Sequence, residues 1–372
     1  MKDKNHNIVL GLFFTYGVSL KLWDETGLLT REIALYNKLA KEIKTIYFFT
    51  YGNQSDLEYK KCLASNIIIV PKPVKMSNKL YSLLIPILHY KKMRECTILK
   101  TNQMDGSWTA VLSKLLFKKK LIVRTGYCWS INLKHAGLKL RYYLARIIEQ
   151  LAYAFADTAI VTSQRNKLYV EKQYNYENVK LIPNYVDTDK FYPKNIAKKN
   201  KTICFVGRLS EEKNLFSLIT ALIDTDINLA IIGDGKLKEQ LNKFAKEHNV
   251  HVNFYGIIPN KDLPNILNQF EVFILPSLIE GNPKALLEAM ACGLCVIGTN
   301  VEGIREVIQH NKTGILCDTN ANSLKLSIVT AFENNKLRRK LKNNAAAFIL
   351  ENYALDKLFR KELATYLPLF KK

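Results

Sequence analysis

Short apolar runs separated by polar turns and amphipathic stretches recur along the whole chain, and this alternation restricts the fold more than any other feature. In the first half the runs are Ile8–Phe14, Thr45–Thr50, Asn66–Val70, Thr97–Thr101, Leu121–Arg124 and Thr158–Thr162. In the second half they are Thr202–Val206, Asn228–Ile232, Val252–Tyr255, Val272–Leu275, Cys295–Gly298 and Gly314–Cys317. They are short and lack strict polar–apolar alternation, as strands covered on both faces do. Helical patterns such as Thr30–Glu42 and Leu237–His248 lie between them. Strand–helix alternation predicts an α/β fold with parallel sheets.

A chain of 372 residues is too long for one typical domain and suits two. The break falls near Pro183 to Asn200, where a turn-like Asn184-Tyr185-Val186-Asp187 and a basic polar stretch read as a hinge. The expected domains are 1–190 and 191–350, followed by an amphipathic stretch over about 351–372. No run of 18 apolar residues occurs, so no membrane span is expected. The polar Met1–Asn7 and the apolar run after it lack a small-residue cleavage site, which argues against a secretory leader. Seven scattered cysteines suit a reducing compartment, and Cys292-Gly293-Leu294-Cys295 reads as small residues packing at a helix end.

The net charge is +22 and uneven. Residues 1–190 hold 30 Lys/Arg against 15 Asp/Glu, and the remainder 25 against 18. Between 60 and 146 there are 18 basic residues and two acidic ones, Glu95 and Asp105. Such a surface attracts anionic lipid, an anionic substrate or nucleic acid, with solubility and lysine-rich composition as the plain alternative. No nucleic-acid-binding motif accompanies it. Residues 80–93 combine leucines and isoleucines with Lys91, Lys92 and, next to them, Arg94; they suit a membrane interface or, interrupted by Pro86, an ordinary core-facing helix.

The segment Ser277–Gly293 carries the most chemistry. Asn282 is expected as N-cap and Pro283 as first helical residue, with Gly293 just past the helix end. The first amides, at Lys284, Ala285 and Leu286, then form an anion site with the helix dipole. Glu280 stands on the loop in front and Glu288 inside the helix. Phosphate donors beside a hydroxyl-binding carboxylate suit a sugar diphosphate; two solvated glutamates near a capped helix are the alternative. Val206-Gly207-Arg208 through Lys213-Asn214 is another strand exit, and ligands of open parallel sheets bind at such exits. Arg208 and Lys213 there can clamp a diphosphate. Gly233-Asp234-Gly235 is a third exit, open to close ligand approach.

These residues resemble the retaining GT-B glycosyltransferases of family 4, the group 1 family. The resemblance rests on Glu280 with Glu288, Gly207-Arg208-Leu209, Lys213-Asn214, Gly233-Asp234-Gly235, Ile182-Pro183-Asn184 with Val186-Asp187 and Phe191, and Gly303-Ile304 with Glu306. It implies two Rossmann-like domains facing each other across a cleft, acceptor domain first and donor domain second, with the last helix crossing back. It implies that Arg208 and Lys213 neutralise the leaving diphosphate, that Glu280 lies by the donor sugar and that Glu288 binds the ribose. Gly17, Gly233, Asn282, Pro283, Lys284, Ala285 and Leu286 complete the donor side. No cofactor or metal is expected; the six histidines show no ligand spacing. The implied activity is transfer of a hexosyl group from a nucleotide sugar, UDP favoured over GDP, to a glycan or lipid-linked acceptor of the cell surface. The protein is then cytoplasmic and peripheral on the inner face of an anionic membrane, with no nucleic-acid partner.

The acceptor half departs from the family. Its first loop, Thr15-Tyr16-Gly17-Val18-Ser19, has one glycine where many members have two, and Arg124-Thr125-Gly126 has no histidine. Thr125 stands at the histidine position, so Asp105, Arg124 and Thr125 are the acceptor-side candidates, and Asp105 reads equally as a turn residue. Two other functions compete: a sugar-nucleotide epimerase of the same architecture, and a non-catalytic polyanion-binding accessory protein. The first needs carboxylates and histidines in the cleft, and the first half is poor in both. The second predicts loss of Glu288, Arg208 or Lys213, and all three are present.

Overall fold

The computed structural model describes residues 7–73, 76–135 and 137–370. His6, among the six histidines considered, and residues 371–372 of the closing stretch lie outside them. The chain forms two compact units, one from the described residues of Met1–Pro183 and Leu358–Lys372, the other from Asn184–Lys357.

The first unit runs β1 (Val9–Phe13), α1 (Leu20–Glu25), α2 (Leu29–Leu39), β2 (Thr45–Phe49), β3 (Ile67–Val70), α3 (Asn78–Leu88), α4 (Tyr90–Glu95) and β4 (Ile98–Thr101). It continues with α5 (Ser107–Phe117), β5 (Lys120–Thr125), α6 (Trp129–His135), α7 (Lys139–Phe155), β6 (Thr158–Val161), α8 (Gln164–Tyr174) and β7 (Val179–Leu181). Its seven strands are parallel, in the order β3-β2-β1-β4-β5-β6-β7. The order reverses at β1/β4. Right-handed crossovers therefore put α3, α5 and α7 on one face of the sheet, and α5 packs against both of its neighbours. In α3 Tyr81, Ile85 and Pro86 are buried, as in a core-facing helix, while Leu80, Leu83, Ile87 and Leu88 face water.

The second unit runs β8 (Thr202–Val206), α9 (Leu215–Leu222), β9 (Asn228–Ile232), α10 (Lys238–Glu247), β10 (Val252–Gly256), α11 (Leu263–Leu267), β11 (Val272–Leu275) and α12 (Lys284–Ala291). Then follow β12 (Cys295–Thr299), α13 (Glu302–Arg305), β13 (Ile315–Cys317), α14 (Ala321–Glu333) and α15 (Asn335–Asn352). Its six strands are parallel, ordered β10-β9-β8-β11-β12-β13. The strands β8, β9, β11 and β12 are buried almost throughout, which is why they read as unbroken apolar runs. A last helix, α16 (Leu355–Phe370), starts in this unit and from Leu358 belongs to the first.

Inside the first unit α16 brings a charge to an interior cation. Lys100 of β4 is 0 % exposed and donates to Oε1 of Glu362, which also accepts a hydrogen bond from Tyr366 at 2.7 Å. The Lys100 ammonium lies 5.3 Å from the centre of the Tyr36 ring. Burial pulls the Lys100 pKa down against the pull of Glu362. Burial alone would raise that of Glu362, but the Lys100 charge and hydrogen bond bring it below the usual carboxylate value. No helix among the described residues is long and apolar enough to cross a membrane.

Candidate functional site

In the second unit the carboxyl ends of β8 and β9 are zipped together. The Gly207 amide donates to Ile232 O at 3.0 Å and the Leu209 amide to Asp234 O at 3.0 Å. This contact requires glycine at 233: its φ is +138°, and a Cβ there would lie 1.9 Å from Gly207 O. The exposed Arg208 is held between the two tied amides, at the exit of β8.

The 276–282 loop after β11 is fastened to the same edge. Asn214 donates to Pro276 O at 3.1 Å and to Thr319 O at 2.8 Å, and the Leu278 amide donates to Glu212 O at 2.8 Å. These ties bring Glu280 to Lys213: the ammonium donates to Oε1 of Glu280, which also accepts from Ser277 Oγ at 2.7 Å. Both side chains are largely shielded from water. Gly303, at the start of α13, lets that helix approach the loop, since a Cβ on it would lie 2.3 Å from Gly281 O. Three of the motifs picked out in the sequence thus meet in one place.

Asn282 does not cap α12. The helix begins at Lys284 with Pro283 in the cap position and no side-chain cap bond. The reason is competition: the Asn282 carboxamide oxygen accepts from the Asn184 amide at 2.9 Å, and Asn184 Nδ2 donates to Asn282 O at 2.7 Å. So Asn184, Asn282 and Pro283 set the entry into the helix as a tied loop. The helical ladder starts with Leu287 N–H to Pro283 O at 3.3 Å, leaving the amides of 284–286 ahead of it. Gly293 ends the helix as expected, at φ +71°, with its amide on Met290 O and that of Leu294 on Ala289 O. Glu288 is 2 % exposed and accepts from Asn260 Nδ2 at 2.9 Å. Asn260 was not picked out from the sequence, although it follows β10 and the strand-exit rule used elsewhere reaches it.

The acceptor-side candidates Asp105, Arg124 and Thr125 lie in the first unit, as does Gly17 of the donor-side set. Gly17 has φ +76° and stands in the loop between β1 and α1, whose N-cap Ser19 accepts from the Leu22 amide. Asp105, in the loop after β4, is half-buried, and burial pushes its carboxyl up from 3.8 to about 6. Thr125 is buried against Tyr153, hydroxyl to hydroxyl at 2.8 Å. Arg124 reaches Asn102 O at 3.3 Å. Next to them Glu149 of α7, 1 % exposed, accepts from the amide (3.1 Å) and hydroxyl (2.6 Å) of Ser130 and from Tyr174, fixing the start of α6.

The Asp105 shift has a measurable sign. Between pH 4 and 6 the folded protein holds a proton there that the unfolded chain has released, so stability falls as pH rises through this window. Asp105→Asn is expected to flatten that slope. An unchanged dependence of melting temperature on pH between 4 and 6 in the variant would contradict the assignment.

Residues 186–348 match the model of the family described as glycosyl transferases group 1. Over 61% of this chain and 64% of the relative, the sequence is 28% identical to the GalNAc-alpha-(1->4)-GalNAc-alpha-(1->3)-diNAcBac-PP-undecaprenol alpha-1,4-N-acetyl-D-galactosaminyltransferase of Campylobacter jejuni. It is 28% identical to the UDP-Gal:alpha-D-GlcNAc-diphosphoundecaprenol alpha-1,3-galactosyltransferase of Escherichia coli over 55% of this chain and 56% of that one. The sucrose-phosphate synthase of Thermosynechococcus elongatus superposes with a TM-score of 0.80 at 19% identity, covering 98% of this chain and 99% of that one. The group 1 resemblance and the GT-B type of fold, two parallel-sheet α/β domains, are therefore established, and the relatives favour neither the epimerase nor the accessory protein.

Proposed function

We propose, for a chain that carries a group 1 glycosyltransferase domain over residues 186–348, a retaining, metal-independent hexosyltransferase of family 4. It moves sugar from a nucleotide donor, UDP-sugar in preference to GDP-sugar, onto a lipid-linked or glycan acceptor of the cell surface. The observation that carries this reading is the contact of Lys213 with Glu280, which joins two strand exits into one charged site beside the start of α12. Lys213 and Arg208 neutralise the diphosphate as it leaves, assisted by the amides of Lys284, Ala285 and Leu286. When the donor enters, Lys213 is shared between phosphate and Glu280, and Glu280 is left facing the sugar. Glu288, oriented by Asn260, accepts from ribose hydroxyls. Gly17 and Gly233 leave room for the donor, and Asp105 or the departing phosphate takes the acceptor proton.

The undecaprenol-linked acceptors in the names of the two relatives support a lipid-linked acceptor here. The basic stretch 60–146 supports an anionic membrane surface, where each Lys or Arg can contribute about 1 kcal/mol. Seven unpaired thiols support a cytoplasmic protein on the inner face.

A nucleotide-sugar screen by thermal shift tests the donor. Ligand at 100 times its dissociation constant should stabilise the protein by about 2.7 kcal/mol. Glu288→Ala should weaken the best donor by about 1.5–3 kcal/mol, roughly 10- to 150-fold in affinity, with a small effect on folding. A screen without a stabilising nucleotide sugar would refute the transferase reading. Unchanged donor affinity in the variant would refute the role of Glu288.

A further inference from the structure

Helix α7 is apolar on two opposite faces, and only one of them is used by the fold. Ala145, Glu149, Ala152 and Tyr153 are buried in the first unit. On the other side Leu140, Tyr143, Leu144, Ile147 and Leu151 are 48–85 % exposed. At 100° per residue these five fall within an arc of about 100°, along a helix about 25 Å long. An apolar strip of that length on a protein surface marks an interaction site.

The surroundings decide its partner. Lys139 and Arg146 border the strip on one side and Arg141 on the other, as cations border an interfacial helix. The layer continues through α5, where Leu115 and Leu116 are exposed ahead of Lys118 and Lys119, to the exposed Leu80, Leu83 and Ile87 of α3. From residue 78 to 155 there are three carboxylates. Glu95 accepts from Tyr47, Asp105 is half-buried in its loop, and Glu149 is buried beneath α7. A protein partner of ordinary composition would need no such one-signed field, whereas an anionic bilayer presents apolar depth below a negative surface.

We propose that α7 is the membrane-inserting element of this protein, lying in the plane of an anionic phospholipid bilayer with Leu140, Tyr143, Leu144, Ile147 and Leu151 below the headgroups. The inference rests on the membrane part of the proposed function and names the surface that carries it. It has a consequence within the first unit. Glu149, on the inner face of the same helix, holds Ser130 at the start of α6, so docking fixes the distance of that helix start from the lipid.

The test uses the full chain and vesicles of phosphatidylglycerol with phosphatidylcholine, against pure phosphatidylcholine. Leu144→Ser with Ile147→Ser removes exposed side chains, so the melting temperature should stay unchanged. Its binding to the anionic vesicles should fall at least tenfold. Cys62 is the exposed cysteine, so Cys62→Ser gives a background for labelling with an environment-sensitive fluorophore. A label at Ile147→Cys should enter an apolar environment when anionic vesicles are added, and one at the exposed Lys243→Cys should stay in water. Undiminished vesicle binding of the double variant overturns the proposal. So does a label at 147 that stays aqueous while the protein sediments with vesicles, or absence of binding to either vesicle. Concentration-dependent dimerisation lost in the double variant, with vesicle binding unchanged, would assign the strip to a second copy instead. Stabilisation by nucleotide sugar, measured on the same samples, reports separately on the transferase reading.

Discussion

Lys213→Ala should lower turnover about 10²–10³-fold, the usual effect of removing one preorganised group that stabilises charge in a transition state. The expectation follows from where the ammonium sits. It is mostly shielded from water, held by the 276–282 loop through Glu280, and within one loop of Arg208. Negative charge on the leaving diphosphate grows along the reaction, so a cation fixed there acts more strongly on the transition state than on the bound donor. The loss should therefore appear mainly in kcat. Arg208→Ala removes an exposed cation from the same edge and should cost less alone, while the double variant should be the weakest enzyme of the three. Folding should be nearly intact, since Glu280 keeps its bond from Ser277. Steady-state kinetics with the best donor of the screen decide the matter. Activity of the double variant within tenfold of the parent would rule out the clamp. Loss of the parent's activity on adding EDTA would rule out the metal-free mechanism.

A change far from that edge should do the most damage to the fold. Glu362→Ala leaves the Lys100 ammonium inside the first unit without its acid, and removing one partner of a buried pair costs about 3–5 kcal/mol. For a unit of this size that is a fall of about 6–20 °C in melting temperature. Lys100→Met should cost a comparable amount by stranding the carboxylate. The combination Lys100→Met with Glu362→Gln removes both charges and keeps an oxygen for Tyr366, so it should recover at least half of the loss. The contribution of Glu362 is full above the ordinary glutamate value of 4.5 and is lost as pH falls through its lower folded value. Thermal denaturation of the parent, Glu362→Gln, Lys100→Met and their combination forms the cycle. Single variants within about 1 kcal/mol of the parent, or a double variant no better than the sum of the singles, would show that the pair does not hold α16 in place.

Much of this was legible in the residues, for reasons that differ by element. Strands β8, β9 and β11 coincide with their apolar runs because both faces are buried and turn residues bound them. Strand β7 was missed. It has three residues at the sheet edge, and Lys180 and Leu181 face water, so no apolar run announces it. The site motifs were visible because glycine and charge stand out at strand exits. What joins them was not: Asn260 to Glu288, Asn214 to two carbonyls and Asn184 to Asn282 are long-range bonds of ordinary polar residues. The cap at Asn282 failed for the same cause, since a residue 98 positions away claims its side chain. Lys100 was hidden most completely, as a strand residue between Leu99 and Thr101 whose partner is 262 positions distant.

That distance sets an order of events at the ribosome. Synthesis at about 5–20 residues per second leaves roughly 13–50 s between the emergence of Lys100 and that of Glu362. Throughout this interval the seven strands of the first unit are available to pair, but the lysine on β4 has no acid to meet and stays solvated or loses its proton. The buried pair of the first unit therefore forms only after the second unit has been made. The docking of α16, which carries Glu362, is thus a late packing step for a unit whose strands were synthesised first.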